Sequence, residues 1–218
     1  THGIVQYEVY VQHLLGEAYL GTDQFELLEI NMQKVIQHRR SIGEKFGLAG
    51  ALNLLANCRY YQRRHRESWE YRIEALKHLV ESGYEGDLIQ SVLMSAYYIF
   101  RDGELGLFEA LMKFTFSIPA ARNDPEAVTL ASIILVEWLV SRERFDLALP
   151  LYSATPLRKR IGIFREPIAE QARWERIKSL LEEKLQIRIM FDERPDHREL
   201  FELCSSASAL LTCRNITS

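Results

Sequence analysis

His13 and Glu17 have a spacing that could begin a metal site. Four residues apart on a helix, the two side chains would project from the same face, and imidazole with carboxylate is a common ligand pair. A stable site needs further ligands, and none follows at a matching spacing. We therefore expect no bound metal.

The segment 59–72, RYYQRRHRESWEYR, interleaves five arginines with four aromatic residues. Such a pattern can bind nucleic acid, because arginine contacts phosphates and aromatic rings stack on bases. However, Glu67, Glu70 and Glu74 lie close enough to neutralise the cluster, and the formal net charge is −3. We expect an ion-paired, solvated face, and nucleic-acid binding through Arg59, Arg63 and Arg66 remains an alternative.

The sequence has no signature of an enzyme or a cofactor-binding loop. GxxxxGK[ST], GxGxxG, GxSxG and HExxH are all absent. Its three cysteines, Cys58, Cys204 and Cys213, have no metal-finger spacing and are expected to be reduced thiols. No apolar run approaches the roughly 18 residues of a membrane helix, and no signal peptide opens the chain. These features favour a non-catalytic cytoplasmic protein without a cofactor.

Apolar residues recur at intervals of three and four along most of the 218 residues, which predicts helices. Turn signals divide them into four pairs and two further helices: 9–20 with 25–36, 48–62 with 66–81, 88–101 with 104–117, 125–141 with 145–154, then 163–185 and 197–211. Asp124 followed by Pro125 is a typical helix opening. Only 186–191 could form a short strand.

The helix pairs are similar to one another. Leu15, Leu55, Leu93 and Leu135 align at steps of 40, 38 and 42 residues, with a small shift needed near Gly103. The stretches LLGEAYLGTDQFELLEINMQKV and NLLANCRYYQRRHRESWEYRIEALKHL resemble tetratricopeptide repeats. The spacing exceeds the family's usual 34 residues and is similar to repeats in bacterial signal-transduction ATPases and large transcription activators.

This resemblance implies an all-α, right-handed solenoid of about four degenerate helical hairpins and a capping helix. We expect a repeat domain over 1–185 and a tail with one short helix over 186–218. In this family the first helices line a concave groove, which predicts these partner-binding residues: Tyr10, His13, Glu17, Asn53, Asn57, Tyr60, Ser91, Ser95, Tyr98 and Glu137.

The predicted function is recognition of a peptide or partner protein in this groove, within a larger cytoplasmic regulator of signal transduction or transcription. The polar groove residues suit such binding because they offer donors and acceptors at modest entropic cost. The same resemblance leaves open a domain that senses a small-molecule effector. Membrane association is not expected.

Overall fold

The computed structural model describes residues 2–155, 168–189 and 197–210. These residues are all-helical, as predicted. They form ten α-helices: α1 (His2–Gly21), α2 (Phe25–Ile42), α3 (Lys45–Tyr61), α4 (His65–Ser82), α5 (Glu85–Arg101), α6 (Leu105–Ser117), α7 (Pro125–Ser141), α8 (Phe145–Ala154), α9 (Ile168–Leu185) and α10 (His197–Ala209). A short 3-10 helix, Pro119–Asn123, precedes α7.

One turn geometry recurs between the two helices of each pair. After α1, Asp23 has a positive φ of 57°, and the Gln24 amide donates to the Tyr19 carbonyl at 2.9 Å. This is a Schellman motif, which satisfies carbonyls at a helix end. Positive φ values recur at Arg63, Gly103 and Glu143. In each case the amide of the next residue, Arg64, Glu104 or Arg144, donates to the carbonyl five residues before it, as the Gln24 amide does.

The helix pairs therefore share one period in the chain. The second helices begin at residues 25, 65, 105 and 145, and first helices begin at 45, 85 and 125, so each step is 40 residues. The alignment of Leu93 with Leu55 was wrong by two residues. The third pair contains no shift, and Ser95 stands where the second pair has Leu55, because Gly103 occupies the same turn position as Arg63.

Several helix ends follow from local chemistry. The Asp124 carboxylate caps α7 by accepting from the Glu126 and Ala127 amides, both at 3.0 Å, and Pro125 fills the first helical position as predicted. Gly43 and Gly83 end α2 and α4 in the left-handed conformation that glycine adopts without strain. The strand considered for 186–191 is not found over the described residues 186–189.

The chain divides into two compact units. Unit 1 comprises Thr1–Leu88 and Phe164–Gln171, and unit 2 comprises Ile89–Ile163 and Ala172–Ser218. The predicted boundary at residue 185 remains a prediction.

Unit 1 is built from two successive hairpins. Its helix α1 packs on α2, α2 on α3, and α3 on α4, and α1 also contacts α3. A Cβ atom at Gly16 would come within 2.6 Å of the Met32 Cε, so the glycine lets α2 approach α1 closely. The core between the hairpins is apolar and fully buried, with Leu28, Met32 and Val35 from α2 and Leu52 and Leu55 from α3.

Unit 2 contains the largely apolar helix α7, in which nearly every residue from Ala127 to Leu139 is buried. It packs on α8, and α10 packs on α6, α7, α8 and the 3-10 helix. Phe201 of α10 meets Phe116 edge-to-face at 5.7 Å between ring centroids. Trp138 and Trp174 are buried and belong to the core.

Within the described part of the chain, no helix combines the length and apolar character needed to cross a membrane.

Candidate binding surface on the first helices

Glu17, Asn57, Tyr97 and Glu137 occupy equivalent positions of α1, α3, α5 and α7, each 40 residues after the last. We call these four residues the polar row. All four side chains carry polar groups, and each makes a side-chain contact within its own unit.

The unit 1 members of the polar row are held by neighbouring side chains. The Asn57 Oδ1 accepts a hydrogen bond from the Arg72 guanidinium at 2.8 Å, and Arg72 itself is 1% exposed. The Arg72 guanidinium also lies over the Trp69 ring at 5.7 Å. Because this cation is buried and contacts both Asn57 and Trp69, it holds the Asn57 amide in one orientation.

His13 lies beside the polar row on α1, 3.9 Å from the Glu17 carboxylate. Its ring fills the space over Gly50 of α3, where a Cβ atom would be 3.0 Å from the His13 Cε1. Burial, and next the positive charge of Arg39, lower the pKa of His13 below its ordinary 6.5. The imidazole is therefore neutral at pH 7 and can both donate and accept a hydrogen bond.

The unit 2 members of the polar row form a continuous network. The Tyr97 hydroxyl lies 3.4 Å from one oxygen of Glu137, and the Arg173 guanidinium donates to the other oxygen at 3.2 Å. Arg101 donates to the Tyr97 hydroxyl at 3.3 Å and lies over its ring. Glu137 is 6% exposed, so the Arg173 charge offsets the cost of burying its carboxylate.

The predicted groove residues differ in how far solvent reaches them. Tyr10 is exposed; His13, Glu17, Asn53 and Asn57 are half-buried; Tyr60, Ser91, Ser95, Tyr98 and Glu137 are buried. The structure brings His13 together with Glu17. In the third helix pair, Ser91 and Ser95 lie two residues before Leu93 and Tyr97, the equivalents of His13 and Glu17. The Ser95 hydroxyl donates to the Ser91 carbonyl at 2.7 Å. The assignments to a partner-binding groove remain predictions.

Tyr97, Arg72 and Arg173 were not among the residues predicted from the sequence. A constant step of 40 from Glu17 and Asn57 would have found Tyr97. Nothing in the spacing signals Arg72, because its equivalents in the other pairs are the core residues Met32, Met112 and Tyr152.

Three arginines of the basic and aromatic segment 59–72 are ion-paired, as expected, but the segment is not a fully solvated face. Arg59 is 2% exposed and binds both carboxylate oxygens of Glu29, and Glu67 lies 3.4 Å from its Nε. Arg64 pairs with Glu67 at 2.6 Å, and Arg66 pairs with Glu70 at 3.0 Å. Arg59 is thus a buried structural cation rather than a solvated one.

Two other kinds of site were considered among the described residues. No group of three or more His, Cys, Asp or Glu side chains there could hold a metal ion. One depression of about 480 Å³ is lined by Glu175, Arg176, Ser179, Leu180 and Glu183, all of α9. A depression lined by one helix does not bring groups from different elements together around a small ligand.

The described cysteines are buried free thiols. The Cys58 Sγ lies 3.5 Å from the Phe25 carbonyl in unit 1, and Cys204 Sγ lies 3.9 Å from the Val128 carbonyl in unit 2. Burial raises the pKa of Cys58 to about 11 and also raises that of Cys204. Both are protonated and inert at neutral pH. Cys213 lies outside the described residues.

Comparison with protein-family models, with curated proteins and with solved structures gives no match to this chain.

Proposed function

We propose that the four helix pairs form a right-handed tetratricopeptide-like solenoid and that its first helices bind a peptide or partner protein. The shared 40-residue period and the recurring Schellman turn support a repeat architecture. In unit 1, α3 contacts both helices of the preceding hairpin, which is how successive repeats share a core.

The polar row is the observation that carries the proposed binding role. A repeat protein has apolar residues where its helices pack. The repeated position of Glu17, Asn57, Tyr97 and Glu137 carries polar groups instead, as a ligand-binding position would. In both units a buried or half-buried arginine orients a member of the row, Arg72 for Asn57 and Arg173 for Glu137. Oriented polar groups bind a peptide with less loss of side-chain entropy.

The proposed context is a non-catalytic recognition segment of a larger cytoplasmic regulator, as the resemblance to signal-transduction and transcription regulators implies. A partner bound along the first helices would bias the curvature of a solenoid, because each repeat contacts only its neighbours.

A peptide-binding experiment tests this proposal. Randomised peptides are selected on the purified chain, and the affinity of the selected peptide is measured by fluorescence polarisation for Asn57→Ala and for Glu17→Gln, whose side chain is 38% exposed. We expect each substitution to weaken binding about fivefold or more, which corresponds to about 1 kcal/mol. The control is Asn31→Ala on α2, whose side chain bonds only within its own helix, to the Leu27 carbonyl.

Equal affinity of the two variants, the control and the parent chain would contradict the proposed surface. Tyr60 is unsuitable for this test because it is 8% exposed and packs edge-to-face on His65, so its removal would disturb the fold. Thermal unfolding of each variant checks that the helices remain intact.

The small-molecule and nucleic-acid alternatives remain predictions. The arginines that suggested nucleic-acid binding include two that are paired with glutamates, Arg59 and Arg66. Binding of single-stranded nucleic acid whose affinity falls steeply with salt would favour that alternative.

A further inference from the structure

Helix α1 exposes an apolar face on one side of unit 1. Tyr10, Val11, Leu14 and Leu15 are 55%, 38%, 41% and 40% exposed. Residues 10, 14 and 11, 15 are spaced by four, so the four side chains lie together on the helix. We call these residues the α1 face. Contiguous exposed apolar side chains of this kind mark interaction surfaces in soluble proteins.

The equivalent face of α3 shows how such a surface is covered. Forty residues after the α1 face come Gly50, Ala51, Leu54 and Leu55. Ala51 is 0% exposed and Leu55 is 1% exposed. Helices α1 and α2 supply the cover, since His13 lies against Gly50, and Leu54 meets the position of a Cβ at Gly16.

Leu15 and Leu55 give the sharpest comparison, because the residue type and the helix position are the same. One is 40% exposed and the other 1%, and the preceding hairpin packs on α3, the helix that carries Leu55. Leu55 belongs to a core cluster with Leu28, Met32 and Val35 of α2. These three positions follow the i, i+4, i+7 pattern of an apolar helix face.

We propose that the α1 face docks a further helical hairpin of the same 40-residue type, packed on α1 as α1 and α2 pack on α3. The expected partner is a helix pair whose second helix presents apolar residues at i, i+4 and i+7, as α2 does at residues 28, 32 and 35. This inference rests on the proposed repeat architecture, but it is independent of the polar row and of peptide binding.

Duplication of the first hairpin tests the proposal on the full chain. Residues 5–44 are inserted once more before residue 5, in the register that joins Glu44 to α3 in the native chain. We expect at least tenfold slower amide exchange over residues 10–21 of the original α1 and a higher urea midpoint. The matched control carries Ser at the inserted copies of Leu28, Met32 and Val35. Amide exchange over residues 10–21 of its original α1 should equal that of the parent chain.

A second variant keeps the test decisive if the inserted hairpin docks poorly. Leu15→Ala should leave the urea midpoint of the parent chain nearly unchanged, and it should lower the midpoint of the extended chain as Leu55→Ala lowers that of the parent. Equal small effects of Leu15→Ala in both chains would overturn the proposal.

Sedimentation velocity distinguishes the competing occupant. A parent chain that dimerises at micromolar concentration, with residues 10–15 protected in the dimer and released by Leu15→Lys, would assign the face to a second copy and overturn the proposal. A monomeric parent chain together with a protected α1 in the extended chain would support it. Failure of the polar-row variants to affect peptide binding would not alter either result.

Discussion

Both units contain helix pairs joined by the same turn geometry, but the apolar faces of these pairs are covered differently in the two units. In unit 1 the second helices, α2 and α4, are 18 residues long each, whereas in unit 2 α6 has 13 residues and α8 has 10. In unit 2, α10 packs on α6, α7 and α8. Where the second helices are short, a helix distant in sequence supplies apolar cover. Where they are long, neighbouring hairpins cover one another.

The interiors differ in chemistry as well. Unit 1 buries two arginines, Arg59 at 2% and Arg72 at 1% exposure, each with polar partners. In unit 2 the helix α7 is almost wholly apolar, with one buried carboxylate, Glu137. The 40-residue helix pair therefore accommodates buried arginines in one unit and a buried carboxylate in the other while the turn geometry is kept.

Loss of the α10 cover is the change we expect to have the largest effect. Phe201→Ala removes a 9% exposed ring that packs on Phe116 and lies under Arg122, and it should lower the free energy of unfolding by about 3 kcal/mol. Amide exchange should rise in α6 and α7 of unit 2. The control in unit 1 is Phe46→Ala, whose ring is 40% exposed and should cost under about 1 kcal/mol. A loss of less than about 1 kcal/mol for Phe201→Ala would show that α10 adds little to the stability of unit 2.

The buried ion pair of unit 1 should give the next largest effect. Glu29→Gln leaves the buried Arg59 cation without its main counter-charge and should cost about 2 kcal/mol, less than a fully buried pair because Glu29 is 25% exposed. Replacing both residues by Met should cost less than the single change. Glu70→Gln, at the exposed pair with Arg66, should stay within about 0.5 kcal/mol. Urea unfolding at pH 7 measures all three, and equal effects of Glu29→Gln and Glu70→Gln would contradict the role of burial.

The same pair predicts a pH dependence. The hydrogen bond from Arg59 lowers the pKa of Glu29 in the folded chain below its ordinary 4.5. The stabilisation that ionised Glu29 contributes is therefore complete above the pKa of Glu29 in the unfolded chain. It is lost as the pH falls through the lower pKa that Glu29 has in the folded chain. Between pH 5 and about pH 2, the free energy of unfolding should decline less in Glu29→Gln than in the parent chain.

The turn residues should give the smallest effects, in the same direction in both units. Arg63 and Glu143 hold positive φ values of 65° and 57°, which cost a residue with a Cβ about 1 kcal/mol. Arg63→Gly in unit 1 and Glu143→Gly in unit 2 should therefore stabilise the chain by about 0.5–1 kcal/mol, and Gly103→Ala should destabilise it by about 1 kcal/mol. Urea midpoints measure these changes. A stabilising Gly103→Ala would show that the turn is not constrained as described.

The sequence was sufficient to predict most helices, because apolar periodicity and turn residues are local signals. The predicted bounds of 125–141 and 145–154 agree with α7 and α8. The third pair was misaligned because Leu93 is apolar and Ser95 is not. Ser95 is nevertheless buried, since its hydroxyl bonds to the backbone of its own helix.

The candidate site was less predictable, because its contacts join residues far apart in the chain. Glu137 was among the predicted residues, but its partner Arg173 is 36 residues later on another helix. The pairing of Arg59 with Glu29, across 30 residues, is equally invisible in local spacing. Such contacts depend on how helices pack, which periodicity alone does not determine.

The two buried thiols offer a way to time the opening of each half of the molecule separately. Cys58 reports on unit 1 and Cys204 on unit 2, and each must reach solvent before a disulfide reagent can label it. With Cys213 replaced by serine, two labelling rates in one otherwise native chain would rank the local unfolding free energies of the units without any attached dye.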